Sequence, residues 1–310
     1  MISYEINLEI KMPTVNTNSA AQFALNKLNA TEREMTTSME RLSSGLRINY
    51  AKDDAAGQAI STRLTAEVQG LQMASKNAAD AQSLIDTAEG ALQETHSILL
   101  RMRELSVQAS NGTLTDDDRT ALNAEMGQLI LEVERIAQNT SWAGSALING
   151  NGSTDGDKAY DFHIGVNGAD KITVNIDDAR AVALGLVTDK ATGGSASDND
   201  YTATGTDADA PITISTQSDA QTQIGVIDNA IKLVSNSRAE LGAVSNRLTS
   251  TINNIDQISV NLDASKGRIQ DADFAAETSN LAKSQILQQA ATAMLAQANA
   301  SKQNVLALVR

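Results

Sequence analysis

Two narrow apolar stripes, one at each end of the chain, constrain its fold more than any other feature. Near the start, Ala21, Leu25, Leu28, Glu32, Met35, Met39, Leu42 and Leu46 recur at alternating three- and four-residue spacing, with Glu32 as the polar break. Near the end, Leu287, Ala291, Met294, Ala298, Ser301, Val305 and Leu308 repeat the pattern. Residues so spaced share one side of an α-helix, and so narrow a stripe suits burial against another helix. Both ends are therefore expected to be helices that meet helical partners. Two outcomes are open on pattern alone, a closed bundle within one molecule or association with further copies.

The composition supports helix-on-helix packing. Aromatics are 3% of the 310 residues, so the apolar content comes mainly from Ala, Leu, Ile and Met, which fill thin seams better than a thick core. That length allows two or three compact units. Pro13 and Pro211 are the two prolines, and the sequence between them offers none to interrupt a helix. Cysteine is absent, which excludes disulfides, thiolate metal sites and thiol nucleophiles. A net charge of -14 argues against nucleic acid or anionic membrane as a partner, because both require clustered Lys and Arg. There is no apolar run of membrane-spanning length, and the first residues do not follow the pattern of a cleaved signal peptide. Export, if it occurs, is expected to use another route.

Residues 1–11 alternate apolar and polar, and Met12-Pro13 opens a new pattern. Either Met12 is the native start, or the preceding residues form an extra strand or arm. Beyond the first stripe, Ser43-Ser44-Gly45 interrupts the helix, and Asp53-Asp54 offers a carboxylate N-cap for the next. From Ile60 a seam runs through Leu64, Leu71, Ala74, Ala78, Ala81, Ile85, Ala88, Leu92, Leu99 and Met102, with Glu67 and Thr95 as polar exceptions. At 1.5 Å per residue it predicts a rod of roughly 70 Å. Ser110-Asn111-Gly112 closes that helix, and Thr115 with Asp116, Asp117 and Asp118 starts another that buries Leu122, Met126, Leu129, Val133 and Ile136.

Between residues 138 and 222, Gly, Asn, Asp, Ser and Thr dominate. Tyr160 to Ile164, Lys171 to Ile176 and Ile212 to Ser215 read as short strands of antiparallel hairpins, with Val166-Asn167-Gly168 as a turn. The polar stretch from Thr192 to Asp209 reads as a surface loop. A last seam runs through Ile227, Ile231, Val234, Leu241, Leu248, Ile252, Ile255 and Leu262. The expected fold is mainly α: an elongated antiparallel helical bundle or coiled coil, with a small β-hairpin region at its distal tip and both termini at the other end.

Particular runs resemble the bacterial flagellins. At the N-terminal end these are Val15-Asn16-Thr17-Asn18, the run Arg41-Leu42-Ser43-Ser44-Gly45-Leu46-Arg47-Ile48-Asn49, and Ala51-Lys52-Asp53-Asp54-Ala55-Ala56-Gly57. At the C-terminal end they are Gln285-Ile286-Leu287-Gln288-Gln289-Ala290, Ala296-Gln297-Ala298-Asn299 and Gln303-Asn304-Val305-Leu306-Ala307-Leu308. The resemblance spans most of residues 12–142 and 225–310. It implies a secreted, extracellular subunit of the flagellar filament that polymerises with itself for swimming motility. In that arrangement residues 12–50 and 266–310 would be inner-tube helices, 51–142 and 223–265 rod helices, and 143–222 a short hairpin and variable surface region. The assembly interface would draw on Leu25, Leu28, Met35, Met39, Leu42, Leu287, Met294, Val305 and Leu308.

The resemblance further implies type III export, a flagellar export chaperone on the C-terminal helix, and cap and junction proteins as partners. It also implies a Toll-like receptor 5 contact at Arg101 and Leu105, in the run Leu100-Arg101-Met102-Arg103-Glu104-Leu105-Ser106-Val107, with Glu125 on the next helix. The family's usual glutamine before that arginine is Leu100 here. Packing between neighbouring rods is the other reading of those three residues.

No cofactor, metal site or catalytic residue is expected. His96 and His163 lie far apart without carboxylates at ligand spacing, and read as surface or packing residues. Asp116-Asp117-Asp118 reads as a helix cap and not as a metal cluster. Asn111-Gly112-Thr113 and Asn151-Gly152-Ser153 fit the N-glycosylation pattern, a weak signal, and Ser and Thr between Thr188 and Thr206 are the better candidates for O-linked glycans. There is no phosphate-cradling glycine loop and no helix-borne His pair, so an enzyme is not expected. The alternatives to a filament subunit are a hook-filament junction protein, which shares the helical ends, and a coiled-coil adhesin or scaffold.

Overall fold

The computed structural model describes residues 17–150, 158–189 and 209–308. The arm at residues 1–11 and nearly all of the expected polar loop lie outside them. Within the described residues are α1 (Ser19–Ser44), α2 (Ala55–Ala109), α3 (Asp116–Asn139), six short strands, α4 (Gln217–Gln270) and α5 (Phe274–Leu308). Two units separate by their internal contacts: the residues up to Ala66 with those from Leu262, and Glu67–Asn261. Helices α2 and α4 contribute to both.

In the first unit, the local signals read from sequence act as helix stops and starts. Asn18 caps α1 by accepting the Ala21 N–H at 3.1 Å. Gly45 ends α1 at φ 72°, its N–H returning to Arg41 O at 2.9 Å; a residue without Cβ adopts that left-handed conformation at least cost. The expected Asp53-Asp54 cap divides its work. Asp54 caps α2 through the Gly57 N–H at 2.9 Å, while Asp53 accepts the N–H groups of Asn49 and Tyr50 at 3.2 and 3.0 Å. Those bonds, the Tyr50 one foremost, hold the Asp53 carboxyl below the usual range. At Gly57 an added Cβ would lie 2.5 Å from an Asp54 carboxylate oxygen and 2.7 Å from Ile48 Cδ1, so the turn needs glycine.

The α1–α2 connection is tied to the break between α4 and α5. Arg47 N–H donates to Gln270 O at 2.7 Å, Ala272 N–H to Gly45 O at 2.9 Å, and the Arg47 guanidinium to Ile269 O at 2.6 Å. The break itself comes from Asp273, which caps α5 by accepting the Ala275 and Ala276 N–H groups.

The second unit holds the main hydrophobic core. From α2, Leu71, Ala74, Ala78, Ala81, Ile85, Ala88, Leu92, Leu99 and Met102 are buried, as the periodicity predicts, whereas Ile60 in the other unit is exposed. Ile227, Val234, Leu241, Leu248 and Ile255 form a seven-residue ladder of buried side chains on α4. On α3 the stripe is rotated. Met126, Ile130, Val133 and Ala137 are buried, and Leu122, Leu129 and Ile136 flank them half-buried. The α3 start is a capping box, with Thr115 accepting the Asp118 N–H and the Asp118 carboxylate accepting the Thr115 N–H.

Strands β1 (Ser141–Trp142) and β2 (Ser145–Ala146) close over Ala143 and Gly144, both at positive φ. Strands β3 (Lys158–His163) and β4 (Lys171–Ile176) make the expected antiparallel hairpin, with Tyr160 opposite Val174. Ile172, Val174 and Ile176 alternate into the core.

Two expectations shift. The third strand is not Ile212 to Ser215. Instead β6 (Asp209–Pro211) pairs with β5 (Val187–Asp189). Ile212 N–H still reaches Leu186 O, but Ile214 N–H is taken at 2.9 Å by the Asn123 side chain of α3, which ends the ladder. Helix α4 also starts well before Ile227, because Thr216 accepts the Asp219 N–H and Ala220 already joins the core.

Candidate assembly surface

Helices α1 and α5 pack antiparallel in the first unit. At one end the Asn18 carboxamide donates to Ala298 O and Asn299 Oδ1, both at 3.3 Å; at the other Arg41 Nη1 lies 3.9 Å from Glu277 Oε2. Each stripe read from sequence as one seam divides into two rows across this contact. On α1, Ala21, Leu28, Met35 and Leu42 turn toward α5 together with Ala24, Thr31 and Ser38. The alternate members Leu25, Glu32 and Met39 face away. On α5, Ala291 and Ala298 turn inward with Glu277, Leu281, Ser284, Gln288 and Leu295, while Leu287, Met294 and Ser301 do not.

Both the predicted stripe and the inward row of α1 have a/d spacing, so periodicity does not choose between them; the small residues Ala24 and Ser38 allow a closer approach than Leu25 and Met39 would. Sequence reading placed both apolar rows in one seam; the packing separates them. Of the predicted assembly residues, Leu28, Met35 and Leu42 are half-buried within the molecule, and Leu25, Met39, Leu287 and Met294 are exposed. The side chains of Val305 and Leu308 lie outside the described residues.

The inward seam mixes apolar and polar residues along its length. Ser38, Glu277 and Ser284 are its buried polar members, and beside them opens a cleft of about 480 Å³ lined by charged groups including Arg33, Glu34, Arg41 and Lys283. The outward faces carry several large apolar side chains among polar ones. Phe23 is 65% exposed, Met39 50%, and Phe274, Ile286 and Met294 66% each. Phe23, Phe274 and Ile286 were not singled out from sequence. Two of the three phenylalanines in the protein standing off any seam was the available signal. Chemically, the unit leaves large apolar side chains in contact with water.

The expected receptor-contact residues do not share one fate. Arg101 pairs with Glu125 at 2.9 Å and with Glu104 at 2.5 Å on the surface of the second unit, and these hydrogen bonds, Glu104 first, raise its pKa further. Leu105 is fully buried in the core, so it cannot present its side chain to a partner. Its spacing from Met102 and Ala109 marks it as part of the core row. Among the described residues, no group of three or more His, Cys, Asp or Glu could hold a metal ion, and no helix is long and apolar enough to cross a membrane.

Comparison with known proteins spans nearly the whole sequence. Residues 15–153 match the bacterial flagellin N-terminal helical region, and residues 224–309 the bacterial flagellin C-terminal helical region. A flagellin of Bacillus subtilis (strain 168) is 46% identical over 305 residues, covering 96% of this chain and 99% of that protein. A flagellin of Halalkalibacterium halodurans is 41% identical over 298 residues with the same coverage. The crystal structure of Bacillus cereus flagellin aligns with a TM-score of 0.44 at 28% identity, covering 58% of this chain and 88% of that one.

Proposed function

The chain belongs to the bacterial flagellin family, and on that premise we propose how it serves as a structural subunit of the flagellar filament. The observation that carries the mechanism is the set of large apolar side chains left exposed on α1 and α5, Phe23, Leu25, Met39, Ile286, Leu287 and Met294, since these gain free energy when other copies cover them. The inward seam is narrow and has Ser38, Glu277 and Ser284 buried in it, and an isolated helix pair of this kind is marginal in water. The terminal helices therefore become fully ordered as subunits add, so folding and assembly are coupled. A face on one copy that meets a different face on the next repeats without closing, which gives a filament and not a dimer.

The subunit leaves the cell through the flagellar type III apparatus, and its location is the extracellular filament. A chaperone that covers the α5 apolar face before export would prevent early assembly, and cap and junction proteins would meet the same terminal surfaces. Toll-like receptor 5 recognition would rest on Arg101 and Glu125, the exposed members of the predicted trio. The role is structural and not enzymatic. A junction protein or an adhesin is the less favoured alternative, given relatives named flagellin along 96% of the chain.

The test is removal of residues 287–310 followed by seeded polymerisation, read by electron microscopy. Seeds should fail to elongate while the second unit stays helical and soluble. Full-length filaments from the truncated protein would refute the role given to α5.

A further inference from the structure

We propose that Asn111 is a site of spontaneous covalent modification, its carboxamide closing on the Gly112 nitrogen to a succinimide that water opens to aspartate or isoaspartate. The reaction needs a free and unhindered backbone nitrogen next to an accessible, polarised carboxamide carbonyl. In the connection between α2 and α3, all of these meet.

Asn111 and Gly112 are both exposed. Among the described residues, the Gly112 N–H donates no hydrogen bond, whereas the neighbouring N–H groups of Asn111, Thr113 and Leu114 all do. Asn111 Oδ1 accepts the Thr113 N–H at 3.2 Å, which draws electron density from the carboxamide carbon and folds that group over the Gly112 peptide. No side chain stands in the way, since even an added Cβ at Gly112 would meet only the Gln217 amide, at 3.6 Å.

The atoms balance with water as the only co-reactant. The Gly112 nitrogen gives up its proton and bonds to Asn111 Cγ. The bond from Cγ to the carboxamide nitrogen then breaks, and ammonia departs with that proton. Water adds to one of the two ring carbonyls and breaks its bond to the ring nitrogen. Opening at Cγ gives aspartate, and opening at the backbone carbonyl gives isoaspartate.

Asn167-Gly168 has the same sequence chemistry in the turn between β3 and β4, but a different geometry. There the carboxamide nitrogen and the backbone N–H of Asn167 both donate to the Asp170 carboxylate, at 3.3 Å each. Donation from the amide nitrogen makes its carbonyl a weaker electrophile, and the nearby carboxylate opposes loss of the Gly168 proton. The structure thus separates these two of the four Asn-Gly dipeptides in the sequence.

Either product adds a negative charge to the α2–α3 turn. Isoaspartate also lengthens the backbone where Arg119 holds the carbonyls of Ala109, Asn111 and Leu114 at 2.9, 3.0 and 2.8 Å.

The experiment incubates the full-length protein in mildly alkaline buffer and maps tryptic peptides 104–119 and 159–171 by mass spectrometry with an isoaspartate-specific label. A gain of one mass unit with isoaspartate should accumulate severalfold faster on 104–119 than on 159–171. Gly112→Ala should slow it severalfold at unchanged helical content, and unfolding in urea should bring the two peptides to similar rates. Equal or faster conversion at Asn167 in the native protein, a preference that persists in urea, or a rate in the Gly112→Ala variant equal to the parent's would each overturn the proposal.

Discussion

Replacing Ile286 and Met294 with Asp separates assembly from folding. Both side chains are 66% exposed in the single molecule, so the substitutions remove little packing there and should change monomer stability by no more than about 0.5 kcal/mol. Covering them in a filament would contribute roughly two-thirds of the ~1.5–3 kcal/mol of full burial, or about 1–2 kcal/mol at each position. A carboxylate enclosed there instead costs several kcal/mol more. Together the two sites should forfeit at least about 5 kcal/mol, which raises the critical concentration by three or more orders of magnitude. The assay is seeded growth measured by sedimentation, with circular dichroism of the unpolymerised protein beside it. Leu99→Ala supplies the contrast, since Leu99 is fully buried and its truncation should cost about 2–5 kcal/mol of the second unit's stability without altering the α5 face. A double variant that polymerises at the parent's concentration would rule out burial of Ile286 and Met294 in the filament, as would one that loses monomer stability on the scale of Leu99→Ala.

Gly57→Ala should destabilise the start of α2 by about 1–3 kcal/mol, because its Cβ would overlap Asp54 and Ile48; hydrogen exchange should quicken in residues 47–60 and remain unchanged in the second unit. Arg119→Met should lower stability by about 2–4 kcal/mol in urea titrations, since three carbonyls lose a charged donor. Leu105→Ala should behave as a core truncation of the same second unit, costing about 2–5 kcal/mol by thermal melting, whereas a residue acting only through surface contacts would leave the melt unchanged. Asp118 has its pKa lowered by the Thr115 hydroxyl first and the Thr115 N–H second. A carboxyl depressed on folding adds stability above its unfolded value, about 3.9, and loses it as pH falls through the folded value. Asp118→Asn should therefore be less stable than the parent at neutral pH and converge with it in acid; identical melting profiles at every pH would contradict this.

Legibility in the sequence followed the range of the interaction. The α2 row from Leu71 to Met102 and the α4 row from Ile227 to Ile255 were readable because a periodic apolar stripe must be buried wherever its helix packs. The Gly45 stop and the Thr115 start were readable because caps depend on a few neighbouring residues. The end of the β6 ladder was not, since it depends on Asn123, far off in sequence, taking the Ile214 N–H. Nor was the buried clamp of Arg119, which looks like an ordinary helix-surface charge until the turn before it folds back.

The sequence alone determined that the two ends are amphipathic helices and that long seams run between them, because side-chain periodicity is a property of residue order. It also carried the runs that mark a flagellin. Tertiary structure decided which members of each terminal stripe are satisfied within the molecule and which are left over. Leu25 and Leu28 are alike in hydropathy and differ by about one helical turn. Which of them meets α5 is set by the approach of the second helix, through small residues such as Ser38 and Ala291, and this leaves Leu25, Met39, Leu287 and Met294 facing outward.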